Sequence, residues 1–138
     1  MAAQLTIRRS TIPGAGKGLF TKTPIAKGAL IVEYKGKITT WKAVQESERF
    51  NGYAFYVNRN HVVDASRNMK AYGRYANDAK GLTKIKGLRN NATYAIRRKK
   101  VYIQAKRNIP ANAEILVDYG KEYWPAVRYN MRLDARKK

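Results

Sequence analysis

Apolar positions along the chain come in short runs broken by glycine, proline and asparagine. LTIRR (5–9), ALIVEY (29–34), YAFYV (53–57), HVVDA (61–65), ATYAI (92–96), VYIQA (101–105) and EILVD (114–118) are such runs. They are rich in β-branched and aromatic residues and read as strands. One stretch is different: TTWKAVQESERF (39–50) places helix formers behind a threonine cap. RNMKAYGRYAN (67–77) has room for one helical turn. Pro125 stands where a further helix begins, and AVRYNMRLDARKK (126–138) continues it before fraying at the end. No internal repeat or low-complexity segment interrupts this order. The pattern predicts a mostly β domain of the α+β class, with several small sheets and a few short helices.

Length and charge narrow the picture. A chain of 138 residues is one domain and long enough to bury a core. Its formal net charge is +20, from 29 basic and 9 acidic residues. So large a charge repels itself unless an anionic neighbour relieves it. Between Asp78 and Glu114 there is no acidic residue. That interval contains the run Arg97, Arg98, Lys99, Lys100 between two strand-like runs, the expected tip of a hairpin. As a functional feature the run contacts nucleic acid; as a structural one it is a solvated turn that protects a sheet edge. Taken with the whole interval, the charge favours a polyanion contact. No apolar run is long enough for a membrane span, and the N-terminus carries no signal-peptide core. Zero cysteines exclude disulfides, cysteine–zinc sites and thiol catalysis, and fit a reducing intracellular compartment: cytoplasm or nucleoid, or nucleus in a eukaryote. His61 is the only histidine, so it reads as a surface residue and no metal site is expected.

Individually, the motifs are weak. IPGAGKGLF (12–20) is glycine-rich but misses the phosphate-loop spacing, and reads as a hairpin turn before a strand. IVEYKGKI (31–38) is a strand and a turn. Asp64 suits a turn cap, Asn77-Asp78 a turn, and Arg74 a carboxylate partner. EILVDYGKEYW (114–124) puts a strand, a turn and three aromatics together.

In order, however, these pieces resemble the SET-domain lysine methyltransferase family. Gly16-Lys17-Gly18-Leu19-Phe20 matches G-x-G-V/L-F; Glu33-Tyr34-Lys35-Gly36 matches E-Y-x-G; Tyr53-Ala54-Phe55 matches Y-x-F; and Asp64-Ala65 the D-A pair. Arg74-Tyr75-Ala76-Asn77 matches R-F-x-N, Asn91-Ala92 sits at the downstream asparagine, and Glu114 to Gly120 matches E-L-x-x-D-Y-G. The likeness covers about residues 5–124 as one domain, leaving 125–138 as a basic helix or tail. It implies a β-clip-like fold with a C-terminal pseudoknot, the segment around Tyr119 passing beneath a loop near Asn77. It also implies S-adenosylmethionine as cofactor, held by Gly16, Lys17, Gly18, Asn77, Asp78 and Tyr119, with Tyr123 or Trp124 over the adenine. Tyr119 and Tyr53 would be the catalytic tyrosines, and Tyr53, Phe55, Val117 and Tyr119 would line the lysine channel. Three departures stand out: Asp78 where the family has histidine, Ala113 before Glu114 where it has a second glutamate, and no zinc-binding cysteines. Val117 replaces a usual Phe or Tyr, and its smaller side chain implies di- or trimethylation.

A protein substrate carrying the target lysine follows, for a monomer or homodimer with no membrane partner. A cationic tail is repelled by a +20 domain unless Glu33, Glu46, Glu48 and Glu122 form an acidic strip. A substrate already bound to nucleic acid removes the conflict, so a histone, nucleoid or ribosomal protein is expected. The alternatives are an inactive SET-fold nucleic-acid-binding module, and a methyltransferase whose basic face binds an acidic protein.

Overall fold

The computed structural model describes residues 4–47, 52–81, 86–120 and 123. Eight strands and one short helix carry the fold among them: β1 (Leu5–Arg9), β2 (Lys17–Thr21), β3 (Leu30–Glu33), β4 (Lys37–Thr39), α1 (Trp41–Glu46), β5 (Ala54–Asn58), β6 (His61–Asp64), β7 (Ala92–Arg97) and β8 (Lys100–Ala105). A 3-10 turn spans Tyr72–Tyr75. The strands form three small antiparallel sheets, ordered β1-β2, β3-β8-β7 and β4-β6-β5.

Local chemistry explains the elements. In β8, Val101, Ile103 and Ala105 are buried while the residues between them are not, the two-residue period of a half-buried strand. Thr40 caps α1 by accepting the Ala43 amide at 3.2 Å. The helix ends at Ser47, whose amide bonds Val44 O at 3.2 Å. It therefore begins after Thr40 and is shorter than the 39–50 run; residues 48–50 lie outside the described ones. The C-terminal helix expected from Pro125 also lies outside them.

Arg97 pairs with Lys100, so Arg98 and Lys99 form a two-residue turn, with φ of 53° and 67°. This is the predicted basic hairpin. The strand expected at 114–118 is not a continuous one. Glu114 bridges Phe20 antiparallel, whereas Leu116 and Val117 bridge Asn77 and Ala92 in parallel. The segment changes partner almost residue by residue because it lies between three others, so no ladder of any length can build. The Val117 amide donates to Asn77 O at 2.8 Å and the Ala92 amide to Leu116 O at 3.0 Å. The end of the sequence is thereby inserted between the 77 and 92 segments.

The main core gathers Leu19, Ile25, Ile31, Ile103, Ile109, Ile115 and Val117. A second cluster, Tyr34, Val63, Ala65 and Val101, joins the two three-stranded sheets, with Phe55 and Tyr94 packed against it. Gly36 sits where these sheets approach: a Cβ there would lie 2.3 Å from Asp64 O, so only glycine fits. The E-Y-x-G and D-A pieces are thus back-to-back parts of one contact.

Candidate active site

A cavity of about 420 Å³ opens where the sheets, the glycine-rich loop and the inserted C-terminal segment meet. Lys17, Asn77, Tyr119 and Tyr123 line it together with Tyr34, Tyr53, Phe55, Arg74 and Tyr94. Residues separated by up to a hundred positions in the chain therefore share one wall.

The glycine-rich loop is held by a buried carboxylate. Glu114 accepts the Ser10 hydroxyl at 2.7 Å, the Thr11 backbone amide at 2.9 Å, the Thr11 hydroxyl at 2.6 Å and the Asn77 side-chain Nδ2 at 3.3 Å. Asn77 also donates to Lys17 O at 3.0 Å. Gly18 lies beneath this latch: a Cβ there would lie 2.3 Å from Glu114 Oε2 and 3.2 Å from Ser10 Cα. Gly18 is buried and Gly16 exposed, and neither is on the cavity wall, so their contribution is to shape the loop that presents Lys17.

Asp78 is a second hub. Its carboxylate accepts the Tyr119 amide at 2.9 Å, the Lys80 amide at 2.8 Å and the Asn90 side chain at 2.8 Å. Asn90 in turn accepts the Ala79 amide at 2.8 Å. Asn91 clasps the inserted segment, donating to Glu114 O and accepting from the Leu116 amide, both at 2.9 Å. The residue that departs from the family's histidine thus ties the loop to the backbone of Tyr119. Sequence reasoning missed this, as well as Asn90; the only available signal was a buried-type carboxylate and amide twelve positions apart.

Tyr119 donates its hydroxyl to Ala76 O at 2.5 Å, and its ring stands 4.5 Å from that of Tyr123. Burial pushes the phenols of Tyr119 and Tyr94 well above their ordinary value of 10.0, with neighbouring tyrosines acting in the same direction. Burial also raises Tyr34 and Tyr123. These hydroxyls stay protonated and act as donors at neutral pH. Also on the cavity wall, Tyr34 donates to Tyr53 O at 2.6 Å and packs edge-on against Tyr94 at 5.8 Å. Arg74 lies 4.3 Å over the Tyr53 ring and bonds Ala65 O at 3.0 Å and Ser66 O at 3.3 Å. The guanidinium expected to meet a carboxylate is fixed by carbonyls and a ring instead.

Val117 is fully buried in the main core and is not on the cavity wall. The expectation of di- or trimethylation rested on its size in the channel and has no wall contact behind it. Trp124 lies outside the described residues. Arg97, Arg98, Lys99 and Lys100 are exposed at the hairpin tip, apart from the cavity wall.

The family description "SET domain" matches residues 16–120 of the chain. N-lysine methyltransferase KMT5A-A of Danio rerio is 28% identical over 120 residues, covering 79% of this chain and 33% of the relative. Its Xenopus laevis counterpart is 29% identical over 127 residues, 83% of this chain and 36% of the relative. N-lysine methyltransferase KMT5A of Xenopus tropicalis is 26% identical over 127 residues, with the same shares. The chain spans about a third of the length of these relatives.

Proposed function

The chain belongs to the SET domain family, and from that premise we propose that it is an S-adenosylmethionine-dependent protein-lysine N-methyltransferase acting on a nucleic-acid-associated protein. One observation carries the reading: the loop residues Lys17 and Asn77, the C-terminal Tyr119 and Tyr123, and the Y-x-F pair Tyr53 and Phe55 line a single cavity. Its volume, about 420 Å³, lies within the range of small-molecule sites, roughly 300–1,000 Å³.

The wall fits the cofactor's chemistry. Tyrosine faces and carbonyl oxygens suit a sulfonium, and the cation Lys17 suits a carboxylate. Lys17 and Asn77 would hold the amino-acid end, with backbone from Asp78, and Tyr123 and Trp124 would cover the adenine. When bound, S-adenosylmethionine supplies a methyl carbon that an amine lone pair attacks as the carbon–sulfur bond breaks, leaving a neutral thioether.

The chain's own residues must then provide an uncharged, aimed amine. A lysine with pKa of about 10.4 costs roughly 4–5 kcal/mol to deprotonate at neutral pH. The Tyr34, Phe55 and Tyr94 wall lowers that cost by desolvating the ammonium, and Arg74 lowers it by like-charge repulsion. Tyr53 flanks the entering side chain. Tyr119, a protonated donor tied to Ala76 O, orients the nitrogen and cannot serve as a base. Water takes the ammonium proton before transfer, so that the amine reaches the methyl carbon with its lone pair free. Alignment of nitrogen and methyl is the main catalytic resource.

The +20 charge and the hairpin tip favour a substrate delivered on nucleic acid, with Arg97, Arg98, Lys99 and Lys100 on phosphates. The test is labelled methyl transfer to lysate protein, with and without nuclease, alongside the melting shift produced by S-adenosylmethionine. Transfer to lysine that nuclease abolishes supports the whole reading. Transfer that survives nuclease points to an acidic protein partner. No melting shift and no transfer leave an inactive nucleic-acid-binding module.

A further inference from the structure

The β4-β6-β5 sheet has two faces with different surroundings. Phe55 and Val63, paired across β5 and β6, face the aromatic cluster of the active site. Tyr56 and Val62, the next pair, face the other way, as alternation requires. On that back face α1 lays Trp41 against Tyr56, edge to face, with ring centroids 5.3 Å apart. Val62 is fully buried, yet Trp41 remains 38% exposed and Tyr56 50%. Two large aromatic rings are thus left wet after the sheet has been covered.

The indole forms a wall of a second cavity, about 590 Å³, completed by Thr40, Lys42, Gln45, Arg59 and Asn60. The rim is tied together: the Trp41 amide donates to Arg59 O at 2.9 Å, and the Asn60 amide to Asn58 Oδ1 at 2.9 Å. The Thr40 hydroxyl and the first helical amide are therefore already engaged within the fold. Among the described residues the lining supplies one indole, two cations and two side-chain amides, and none of these residues is acidic. Among the described residues Lys42 forms an exposed 4.0 Å pair with Glu46.

We propose that this cavity is a nucleotide subsite, in which Trp41 stacks one unpaired base of a single-stranded nucleic acid. Arg59 and Lys42 take the flanking phosphates, and Gln45 and Asn60 meet the base edge. An acidic peptide would use the cations but leave the indole and amides without a role. A duplex would keep its base faces stacked and closed to Trp41. The hairpin tip is cationic without an exposed ring of this kind, so the two surfaces do different work: one follows phosphate, the other captures a base. The site lies on the opposite sheet face from the lysine channel and does not depend on methyl transfer, so a chain without transferase activity would retain it.

The test is tryptophan fluorescence of the Trp124→Phe chain, in which Trp41 is the sole indole. It is titrated with a single-stranded oligothymidylate, an oligouridylate, a duplex of equal charge and an oligoglutamate. Quenching by the single strands is expected, and comparing the two oligonucleotides tells DNA from RNA. Trp41→Ala should weaken single-strand binding roughly 5- to 100-fold, with duplex binding changed far less. Trp41→Phe, which keeps a ring against Tyr56, should lose less. Arg59→Glu should weaken single-strand binding without changing the emission of free Trp41. No quenching by either single strand overturns the proposal. So does Trp41→Ala that folds and binds single strands unchanged, or equal quenching by oligoglutamate.

Discussion

Replacing Arg98 by Asn and Lys99 by Gly separates a hairpin tip shaped for folding from one shaped for binding. Both residues sit at left-handed φ, 53° and 67°, in a turn closed by the Arg97–Lys100 pair. A left-handed conformation costs an ordinary L residue roughly 1–2 kcal/mol. Asn-Gly is the preferred pair for such a turn. The substitution relieves that strain at both positions and removes repulsion among four adjacent cations. Glycine's larger unfolded-state entropy takes back about 0.4–1 kcal/mol. The net expectation is a gain of about 1–3 kcal/mol, or roughly 3–9 °C in Tm for a chain of this size. Binding should move the other way. Each lost phosphate contact flattens the plot of log affinity against log salt by about 0.9, so the double variant should be shallower by about 1.8. The assay is a thermal melt paired with anisotropy titration of a labelled duplex at several salt concentrations. A more stable protein with an unchanged salt slope would refute the binding role of the tip. An unchanged or lower Tm would refute the strain estimate.

Glu114→Ala should unlatch the glycine-rich loop, because Ser10, Thr11 and Asn77 all donate to that carboxylate. A loss of about 3–5 kcal/mol is expected for several charge-assisted bonds, read as a lower urea midpoint; a wild-type midpoint would contradict the latch. Gly18→Ala forces a Cβ against Glu114 Oε2 and should destabilise by about 1–3 kcal/mol, with weaker S-adenosylmethionine binding by calorimetry. Tyr119→Phe loses the bond to Ala76 O, so stability should fall by only about 0.5–1.5 kcal/mol. Transfer should fall by about 10- to 100-fold through misaimed nitrogen, and a fully active variant would remove Tyr119 from the mechanism. The folded-state phenols of Tyr119 and Tyr94 lie above the unfolded value of 10.0. The unfolded chain therefore releases those protons first, and their stabilisation is present below pH 10 and lost as pH rises beyond it. Urea midpoints that climb on raising the pH through this window would be inconsistent with the buried tyrosine cluster.

The sequence by itself determined the elements whose cause is local. The alternation of Val101, Ile103 and Ala105 specifies β8, Thr40 specifies the start of α1, and RRKK between two apolar runs specifies the hairpin tip. The ordered motifs also determined the family, because their spacing along the chain is itself sequence. What only tertiary structure decided depends on groups far apart in the chain. Ser10 meets Glu114 across 104 positions and Asp78 meets the Tyr119 amide across 41, and no periodicity within a window encodes a hydrogen bond of that span. Val117 shows the same limit. Its position beside Tyr119 in sequence placed it in a channel, whereas its parallel bridge to Ala92 turns it into the core. Neighbours along the chain share a backbone path but not a direction, and direction is set by which distant segment each residue pairs with.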